Sequence, residues 1–230
     1  MPPTSNRSQI RRLPQRGVYD RAAIDAILDE ALVCHVGFVD DGQPFVIPTI
    51  HVRIGDAIYL HGSPASRMMQ SLARGSEACI TVTLVDGLVL ARSAFHHSMN
   101  YRSVVLFGRG SAIGDEGEKL EILGCLAEHL VRGRWADARR PNAEELRRTL
   151  VVRVPIEEAS AKVRTGMPLD DEEDYALNVW AGVLPLRLAA SPPIADPRLP
   201  PGIAVPQYAS EYSGPKAVGH QADADVGRPS

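Results

Sequence analysis

The chain has 230 residues, 44% of them hydrophobic, enough for one sizeable core or for a domain of about 150 residues with extensions. Its formal net charge of −3 and pI near 6.2 lack the basic surplus with which nucleic-acid-binding proteins neutralise phosphates, so nucleic acid is not expected as a partner. No stretch reaches the roughly 20 apolar residues of a membrane helix, and the polar amino end resembles neither a signal nor an anchor. We therefore expect a cytoplasmic protein with no membrane partner.

Composition along the chain predicts four segments. We expect a flexible segment over 1–14, a folded domain over 15–165, an extension packed on that domain over 166–191, and a proline-rich tail, extended or disordered, over 192–230.

The first half of the domain predicts an amphipathic helix and then an antiparallel meander. Asp20 is a suitable N-cap, and apolar residues recur after it at helical spacing. The expected strands are 32–39, 45–54 and 58–61, joined by turns at Asp40-Asp41-Gly42 and Gly55-Asp56. A second helix should then begin at Ser63-Pro64, with Ser63 as N-cap, and run to about Arg74-Gly75.

The second half predicts more strands and two capped helices. Strands 78–85 and 88–93 flank Asp86-Gly87, a strong hairpin signal, and a long strand is expected over 101–113. Helices should begin at Asp115 and Asn142, each followed three residues later by a glutamate. Strands 150–154 and 160–165 would close the domain. The fold class predicted is mainly β with helices (α+β).

Polar side chains end one face of the strand over 45–54. Thr49, His51 and Arg53 share that face, because side chains alternate along a strand. Arg53 could reach a phosphate or a ring oxygen, or could be a surface cation. His51 could bind a ligand, although a buried core histidine is at least as common.

The turn after the third strand is suited to an anion. A helix beginning at Ser63-Pro64 would direct free backbone N–H groups towards a ligand above Ser66 and Arg67. The alternative is a well-capped helix with one exposed arginine, and the residues alone favour neither interpretation.

A second polar cluster opens the strand that begins near Tyr101. Asn100, Arg102 and Ser103 could donate hydrogen bonds to a carbonyl-rich ring or to phosphate oxygens, or could simply be the polar start of a strand.

A metal site is not predicted. The adjacent His96 and His97 cannot easily converge on one ion, and Cys34, Cys79 and Cys125 are set far apart in apolar surroundings. A haem axial role for either of these histidines or for His129 stays open.

Taken in order, these motifs resemble the pyridoxamine 5′-phosphate oxidase-like flavin-binding family, and in particular the branch that includes nitroimidazole-resistance proteins. The residues that carry the resemblance are 32–44 (LVCHVGFVDDGQP), Ile47-Pro48-Thr49, 58–63 (IYLHGS), Ser66-Arg67, 100–104 (NYRSV) and Phe107-Gly108. The resemblance implies an antiparallel split β-barrel of the FMN-binding type that forms a homodimer, with a flavin in each groove between subunits. It also implies that Ser66 and Arg67 hold the flavin phosphate.

Two departures from the family pattern affect function. Met68 stands where the oxidase has a second basic residue, and the oxidase's carboxy-terminal substrate segment is not recognisable. Oxidation of a vitamin phosphate is therefore not expected as the reaction. For the cofactor, the resemblance implies FMN or FAD, with a deazaflavin or haem as alternatives. Trp180, in the extension, could stack over the flavin or anchor the extension.

Together these inferences predict a flavin-dependent oxidoreductase that transfers hydride to or from a small molecule, possible donors being NADH and NADPH. The alternative is a protein that stores, senses or degrades cofactor, binding flavin, haem or both. The predicted cofactor-binding residues are Pro48, Thr49, His51, Arg53, His61, Gly62, Ser66, Arg67, Asn100, Tyr101, Arg102, Ser103 and Trp180.

Overall fold

Eleven strands and six α-helices lie within residues 5–215, the part of the chain that the computed structural model describes. The strands are β1 (Gly17–Val18), β2 (Val33–Asp40), β3 (Gln43–Ile50), β4 (Val52–Ile54), β5 (Ala57–Gly62), β6 (Glu77–Leu90), β7 (Ser98–Arg109), β8 (Ser111–Ala112), β9 (Leu150–Pro155), β10 (Glu158–Arg164) and β11 (Gly182–Pro185). The α-helices are α1 (Arg21–Glu30), α2 (Arg67–Ala73), α3 (Glu116–Leu130), α4 (Arg134–Asp137), α5 (Ala143–Arg147) and α6 (Gln207–Ser210). Short 3-10 helices span Pro14–Arg16, Ala94–His96 and Glu172–Ala176. The predicted class, mainly β with helices, is confirmed.

The strands form two sheets. The larger has the order β1-β10-β7-β6-β2-β3, with β11 added beside β6, and the smaller has the order β4-β5-β9-β8. Every strand pair within residues 5–215 is antiparallel, and none of these pairs joins the two sheets into one closed barrel.

The chain passes from one sheet to the other at two places where a single long strand was predicted. The strand expected over 45–54 ends at Ile50, and β4 begins in the smaller sheet after His51. The strand expected over 101–113 is likewise divided at Gly110. A Cβ at Gly110 would lie 2.6 Å from the carbonyl oxygen of Leu72, so the backbones approach too closely there for any side chain.

The predicted hairpin at Asp86-Gly87 is wrong. β6 continues through both residues as a single strand, with a β-bulge between Val85 and Gly87. Before the bulge β6 pairs with β2, whereas after it Gly87–Leu90 pairs with Pro185–Gly182 of β11. Glycine marks an irregularity in a strand here rather than a turn.

Side-chain caps fix most of the helix starts. The Asp20 carboxylate accepts a hydrogen bond from the Ala23 amide at 3.0 Å, and Asp115 accepts one from the Glu118 amide at 2.8 Å, as predicted. Asn142 and Glu145 form the full reciprocal capping box.

Two apolar clusters hold the sheets and helices together. The larger one lies where α1 and α2 pack on the strands of both sheets and includes Leu28, Ile58, Met69 and Leu106. The smaller lies under α3 and includes Val52, Ile122 and Val151. His51 stands between β3, which contributes to the first cluster, and β4, which contributes to the second.

The segments outside the central domain make specific contacts. Near the amino end, Ser8 is buried, and Arg7 forms ion pairs with Glu77 and Glu158. In the tail predicted over 192–230, residues up to 215 contain one short helix, α6, and 216–230 lie outside the described residues. None of the helices within 5–215 has the length and apolar character needed to cross a bilayer.

Candidate functional site

The turn before α2 differs from the prediction in which serine caps the helix. The helix begins at Arg67, and its N-cap is Ser66, whose hydroxyl accepts a hydrogen bond from the Met69 amide at 3.5 Å. The predicted cap, Ser63, instead accepts a bond from the Ala65 amide at 3.2 Å within the preceding turn. Pro64 therefore lies in the loop before α2 and is not a helical residue.

Arg67 has an exposed guanidinium above an aromatic ring. Its Cζ lies 4.5 Å from the centre of the Phe45 ring, and its Nε lies 3.7 Å from Asp40. Asp40 also faces Arg74 at 3.3 Å, so the two arginines share one carboxylate. The Arg67 side chain is 57% exposed, which leaves donors available to an anion.

His61 and Gly62 end β5 just before this turn. A Cβ at Gly62 would lie 2.9 Å from Cγ of Met69, so glycine is required for α2 to pack against the strand. His61 is partly buried, burial lowers the pKa of its ring, and its Nδ1 has no hydrogen-bond partner within the described residues. A neutral imidazole with an unused nitrogen thus lies beside the turn.

Pro48 and Thr49 lie on β3, an edge strand of the larger sheet. Pro48 is exposed and opposite His35, and Thr49 is half-buried and opposite Cys34. Proline is tolerated here because an edge strand has a row of backbone groups without partners in the sheet.

His51 is a core residue and not a surface ligand. Its side chain is fully buried, its Nε2 lies 3.1 Å from the carbonyl oxygen of Leu28, and burial lowers its pKa to about 4. His129 is also buried, with Nε2 3.2 Å from the carbonyl oxygen of Ala31, and the two rings lie 5.8 Å apart. Both imidazoles therefore donate hydrogen bonds to carbonyl groups in or just after the last turn of α1, where helix carbonyls lack intrahelical donors.

Two predicted arginines are also committed to internal ion pairs. Arg53 binds the Asp29 carboxylate with two nitrogens, at 2.9 and 2.6 Å. Arg102 binds Glu30 and Asp86, and hydrogen bonds to these two carboxylates raise its pKa. A guanidinium held by carboxylates in this way has little capacity left for a phosphate. The structure thus gives Arg53 and Arg102 a structural role at α1.

The remaining residues at the start of β7 bond to neighbouring segments. The Asn100 amide donates to the Gly166 carbonyl at 3.1 Å and accepts from Arg164, and the Ser103 hydroxyl donates to the Lys162 carbonyl at 3.3 Å. Tyr101 is half-buried, opposite Arg164 on β10.

The two predicted clusters lie at opposite ends of the larger sheet. Strand pairing relates the Arg67 end to β7. Phe45 of β3, which lies under Arg67, pairs with Phe38 of β2. Phe38 also pairs with Ala78 of β6, and Ala78 pairs with Gly108 of β7. Arg102 is six residues from Gly108 along that strand, about 20 Å at a rise of roughly 3.3 Å per residue. The fold of the chain therefore does not bring the Ser66-Arg67 turn and the Tyr101 cluster together.

The structure brings together two segments that sequence reasoning did not connect. The Asp170 carboxylate accepts hydrogen bonds from the backbone amides of Arg92 (2.9 Å) and Ser93 (3.2 Å) and pairs with the Arg92 guanidinium. With the Asn100–Gly166 bond, these contacts hold residues 92–100 alongside 164–171. No signal in the sequence pairs these segments, since a single aspartate in a polar stretch predicts no partner.

These two adjoining segments carry exposed apolar side chains, which together are called the apolar patch. It consists of four exposed side chains: Phe95 (89% exposed), Met99 (39%), Met167 (69%) and Leu169 (74%). His96 and His97 lie in the first segment, with His96 Nε2 3.2 Å from Asp171 and His97 Nδ1 2.9 Å from the Ser93 carbonyl oxygen. Exposed apolar side chains grouped on neighbouring segments are typical of a surface that is covered by a ligand or a partner.

Two further features lie outside the α2 turn and the apolar patch. Trp180 is 68% exposed, and its ring lies over the backbone of Gly182, where a Cβ would be 2.9 Å from the indole Cζ2. A cavity of about 470 Å³ lies between Arg132, Gly133 and the α6 region, including Tyr208 and Tyr212. None of the predicted cofactor-binding residues lines that cavity.

The fold and these motifs define a member of the pyridoxamine 5′-phosphate oxidase family. The family's sequence profile matches residues 20–163, more than half of the chain, and the chain therefore belongs to it. The prediction made from the sequence motifs is confirmed.

Solved structures extend the similarity beyond the residues of the profile. The flavocytochrome Anf3 from Azotobacter vinelandii is 44% identical, with a TM-score of 0.86 over 92% of this chain and 98% of its own. The FAD and haem binding protein from Mycobacterium smegmatis is 34% identical, with a TM-score of 0.83 over 87% of this chain and 98% of its own. A candidate 5-nitroimidazole antibiotic resistance protein from Bacteroides thetaiotaomicron is 28% identical, with a TM-score of 0.55 over 64% of this chain and 86% of its own. No curated protein matches the chain.

Proposed function

We propose that the chain is a flavin- and haem-binding oxidoreductase. The observation that carries the proposal is the extent of the similarity: a flavocytochrome and an FAD and haem binding protein match 92% and 87% of this chain. That extent goes well beyond the family profile, which ends at residue 163, so it includes much of the extension that carries half of the apolar patch.

The flavin site that we propose lies at the turn before α2. Arg67 would bind the flavin phosphate, because its guanidinium is exposed and shares its carboxylate partner with Arg74. The turn itself is flanked by His61, Gly62 and Ser66. The neighbouring edge strand, β3, carries Pro48 and Thr49. The proposed site leaves out five of the predicted residues whose side chains bond to other parts of the chain: His51, Arg53, Asn100, Arg102 and Ser103.

A homodimer would give the flavin its second wall. The Arg67 and Tyr101 ends of one sheet are about 20 Å apart, so one protomer cannot enclose a flavin between them. We propose the family's split-barrel dimer, in which the Tyr101 end and Trp180 of one subunit approach the Arg67 end of the other.

The region around the apolar patch fits a haem. Arg164, adjoining the patch, is only 8% exposed, its Nε has no hydrogen-bond partner, and no carboxylate within residues 5–215 pairs with it. Burial and then the neighbouring Arg16 lower its pKa. A buried cation without a counter-charge is costly, and an anionic group of a cofactor, such as a haem propionate, would supply that charge.

In this proposal the protein's residues bind and orient, while the cofactors carry the redox chemistry. A bound flavin supplies hydride transfer, and a bound haem supplies one-electron chemistry. Arg67 neutralises a phosphate, the exposed apolar side chains exclude water once covered, and the His61 ring, neutral because burial lowers its pKa, can donate or accept one hydrogen bond.

The absorption spectrum of the purified protein tests the cofactor proposal. We expect the paired bands of an oxidised flavin and a Soret band in the same sample. A protein that takes up neither cofactor when supplied with FAD, FMN and hemin would refute the proposal. Anaerobic mixing with NADH or NADPH tests the enzymatic part: bleaching of the flavin on a turnover timescale supports catalysis, and a stable oxidised spectrum supports a carrier.

Substitution of Arg67 tests the position of the flavin. Arg67→Ala removes charge-assisted hydrogen bonds worth about 1.5–3 kcal/mol, so the flavin dissociation constant should rise roughly 10- to 150-fold. Arg148→Ala removes an exposed arginine that pairs with Glu144 and not with Asp40, and it is the matched control, expected to stay near the wild-type value. Equal retention by Arg67→Ala and wild type would place the phosphate elsewhere.

A further inference from the structure

We infer that His97 is an axial ligand of the haem iron, an inference that rests on the proposed function and assigns a residue within it. Its Nδ1 lies 2.9 Å from the carbonyl oxygen of Ser93, so a proton on Nδ1 is donated to that carbonyl and the lone pair is left on Nε2. Histidines that bind metals are commonly oriented by such a hydrogen bond from the other ring nitrogen. The ring is exposed, so Nε2 is accessible to a large planar ligand.

The other histidines within residues 5–215 are less suited. His51 and His129 are buried, with Nε2 at the carbonyl oxygens of Leu28 and Ala31. His61 lies at the α2 turn, where the flavin phosphate is proposed. The Nε2 of His96 faces Asp171 at 3.2 Å.

His35 is the remaining alternative. It is exposed on β2, and no hydrogen bond within the described residues fixes its ring. It also lies away from the extension, because its strand neighbours are Pro48 on β3 and Thr81 on β6. His35 therefore serves as the comparison residue in the test.

The surroundings of His97 have the composition of a haem site. It lies between Phe95 and Met99 in sequence, and the Asn100–Gly166 hydrogen bond holds the segment that contains Met167 against the start of β7. These side chains are apolar and exposed, as expected for walls that a porphyrin would cover. Arg164, buried and without a carboxylate partner in the described residues, donates to the Met167 carbonyl at 3.4 Å and can face a propionate.

The test is spectroscopic and compares three single variants with wild type. Full-length protein is loaded with hemin and FAD, and the haem is followed by its Soret maximum, by the electron paramagnetic resonance of the ferric form and by titration. We expect His97→Ala to shift the Soret and resonance signals and to weaken hemin binding by about tenfold or more. Added imidazole should restore the wild-type spectrum, and His96→Ala and His35→Ala should keep it throughout.

Each other outcome overturns the assignment in an identifiable way. A His97→Ala spectrum identical to wild type, or loss of the wild-type signals in His35→Ala or His96→Ala, would assign the iron ligand elsewhere while the proposed function stands. A wild-type protein that binds FAD but no hemin would refute the haem part of the proposed function together with this inference. The flavin content and circular dichroism of each variant show that it has folded.

Discussion

Protonation of His51 should destabilise the folded protein in acid. Burial lowers the pKa of this ring from 6.5 to about 4, while the bond to the Leu28 carbonyl and the charge of Asp29 act in the opposite direction and His129, 5.8 Å away, adds to the lowering. The unfolded chain therefore binds a proton near pH 6.5, and the folded chain does so only near pH 4. The contribution to stability is complete above pH 6.5 and falls as the pH decreases towards 4.

The size of the effect follows from the difference between the two pKa values. At about 1.4 kcal/mol per pH unit, the free energy of unfolding should fall by about 3 kcal/mol between pH 7 and pH 4 because of this one group. Carboxylates that titrate in the same range add their own terms, so the effect must be measured as a difference between proteins. His51→Gln removes the titrating ring, and its stability should therefore fall less steeply.

The assay is urea denaturation followed by circular dichroism at several pH values between 7.5 and 4.5, on wild type, His51→Gln and His35→Gln. His51→Gln should be less stable than wild type at pH 7.5, because it disturbs a buried hydrogen bond, and the gap should narrow by about 2 kcal/mol or more at pH 4.5. His35→Gln, at an exposed position, should follow the wild-type curve. A constant gap for His51→Gln across this pH range would refute the reasoning.

Two further predictions concern the α2 turn and the extension. Ser66→Ala should cost about 1 kcal/mol of stability in flavin-free protein, because it removes the N-cap of α2, and Ser63→Ala should cost less; the reverse order in chemical denaturation would restore Ser63 as the cap. Asp170→Ala should expose the extension to limited proteolysis, because it removes the acceptor of both backbone amides at Arg92 and Ser93. Asp171→Ala should digest like wild type, because the Asp171 carboxylate contacts only His96 among the ion pairs of the described residues. Equal digestion of the two aspartate variants would show that other contacts hold the extension.

Local patterns predicted the elements whose signals are themselves local. The helix start at Asp20 and the capping box at Asn142 each depend on side chains within three or four residues. The turn at Asp41-Gly42 depends on two residues that adopt positive φ. These contacts need no distant partner, so their sequence signal is complete.

Predictions failed where a distant segment decided the outcome. Asp86-Gly87 has the composition of a hairpin, but β11 arrives from almost 100 residues later and pairs with the continued strand. The alternation of residues around His51 predicts one continuous strand, but the chain passes from one sheet to the other at this residue. The His51 ring is buried in the core, where it bonds to the Leu28 carbonyl. Burial and pairing depend on which surfaces meet, and alternation along a strand does not contain that information.

The sequence by itself determined the family and the class of fold, because both can be recognised from the order and spacing of short motifs without knowledge of their contacts. Only the tertiary structure decided which polar residues are available to a cofactor. Arg53 and Arg102 are bound by carboxylates from α1 and β6, whereas Arg67 stays exposed and Arg164 lies buried without a carboxylate partner in the described residues. The physical reason is that the sequence gives the type of a charged side chain but not its neighbours in space. Those neighbours determine whether the charge is already paired or can bind a ligand.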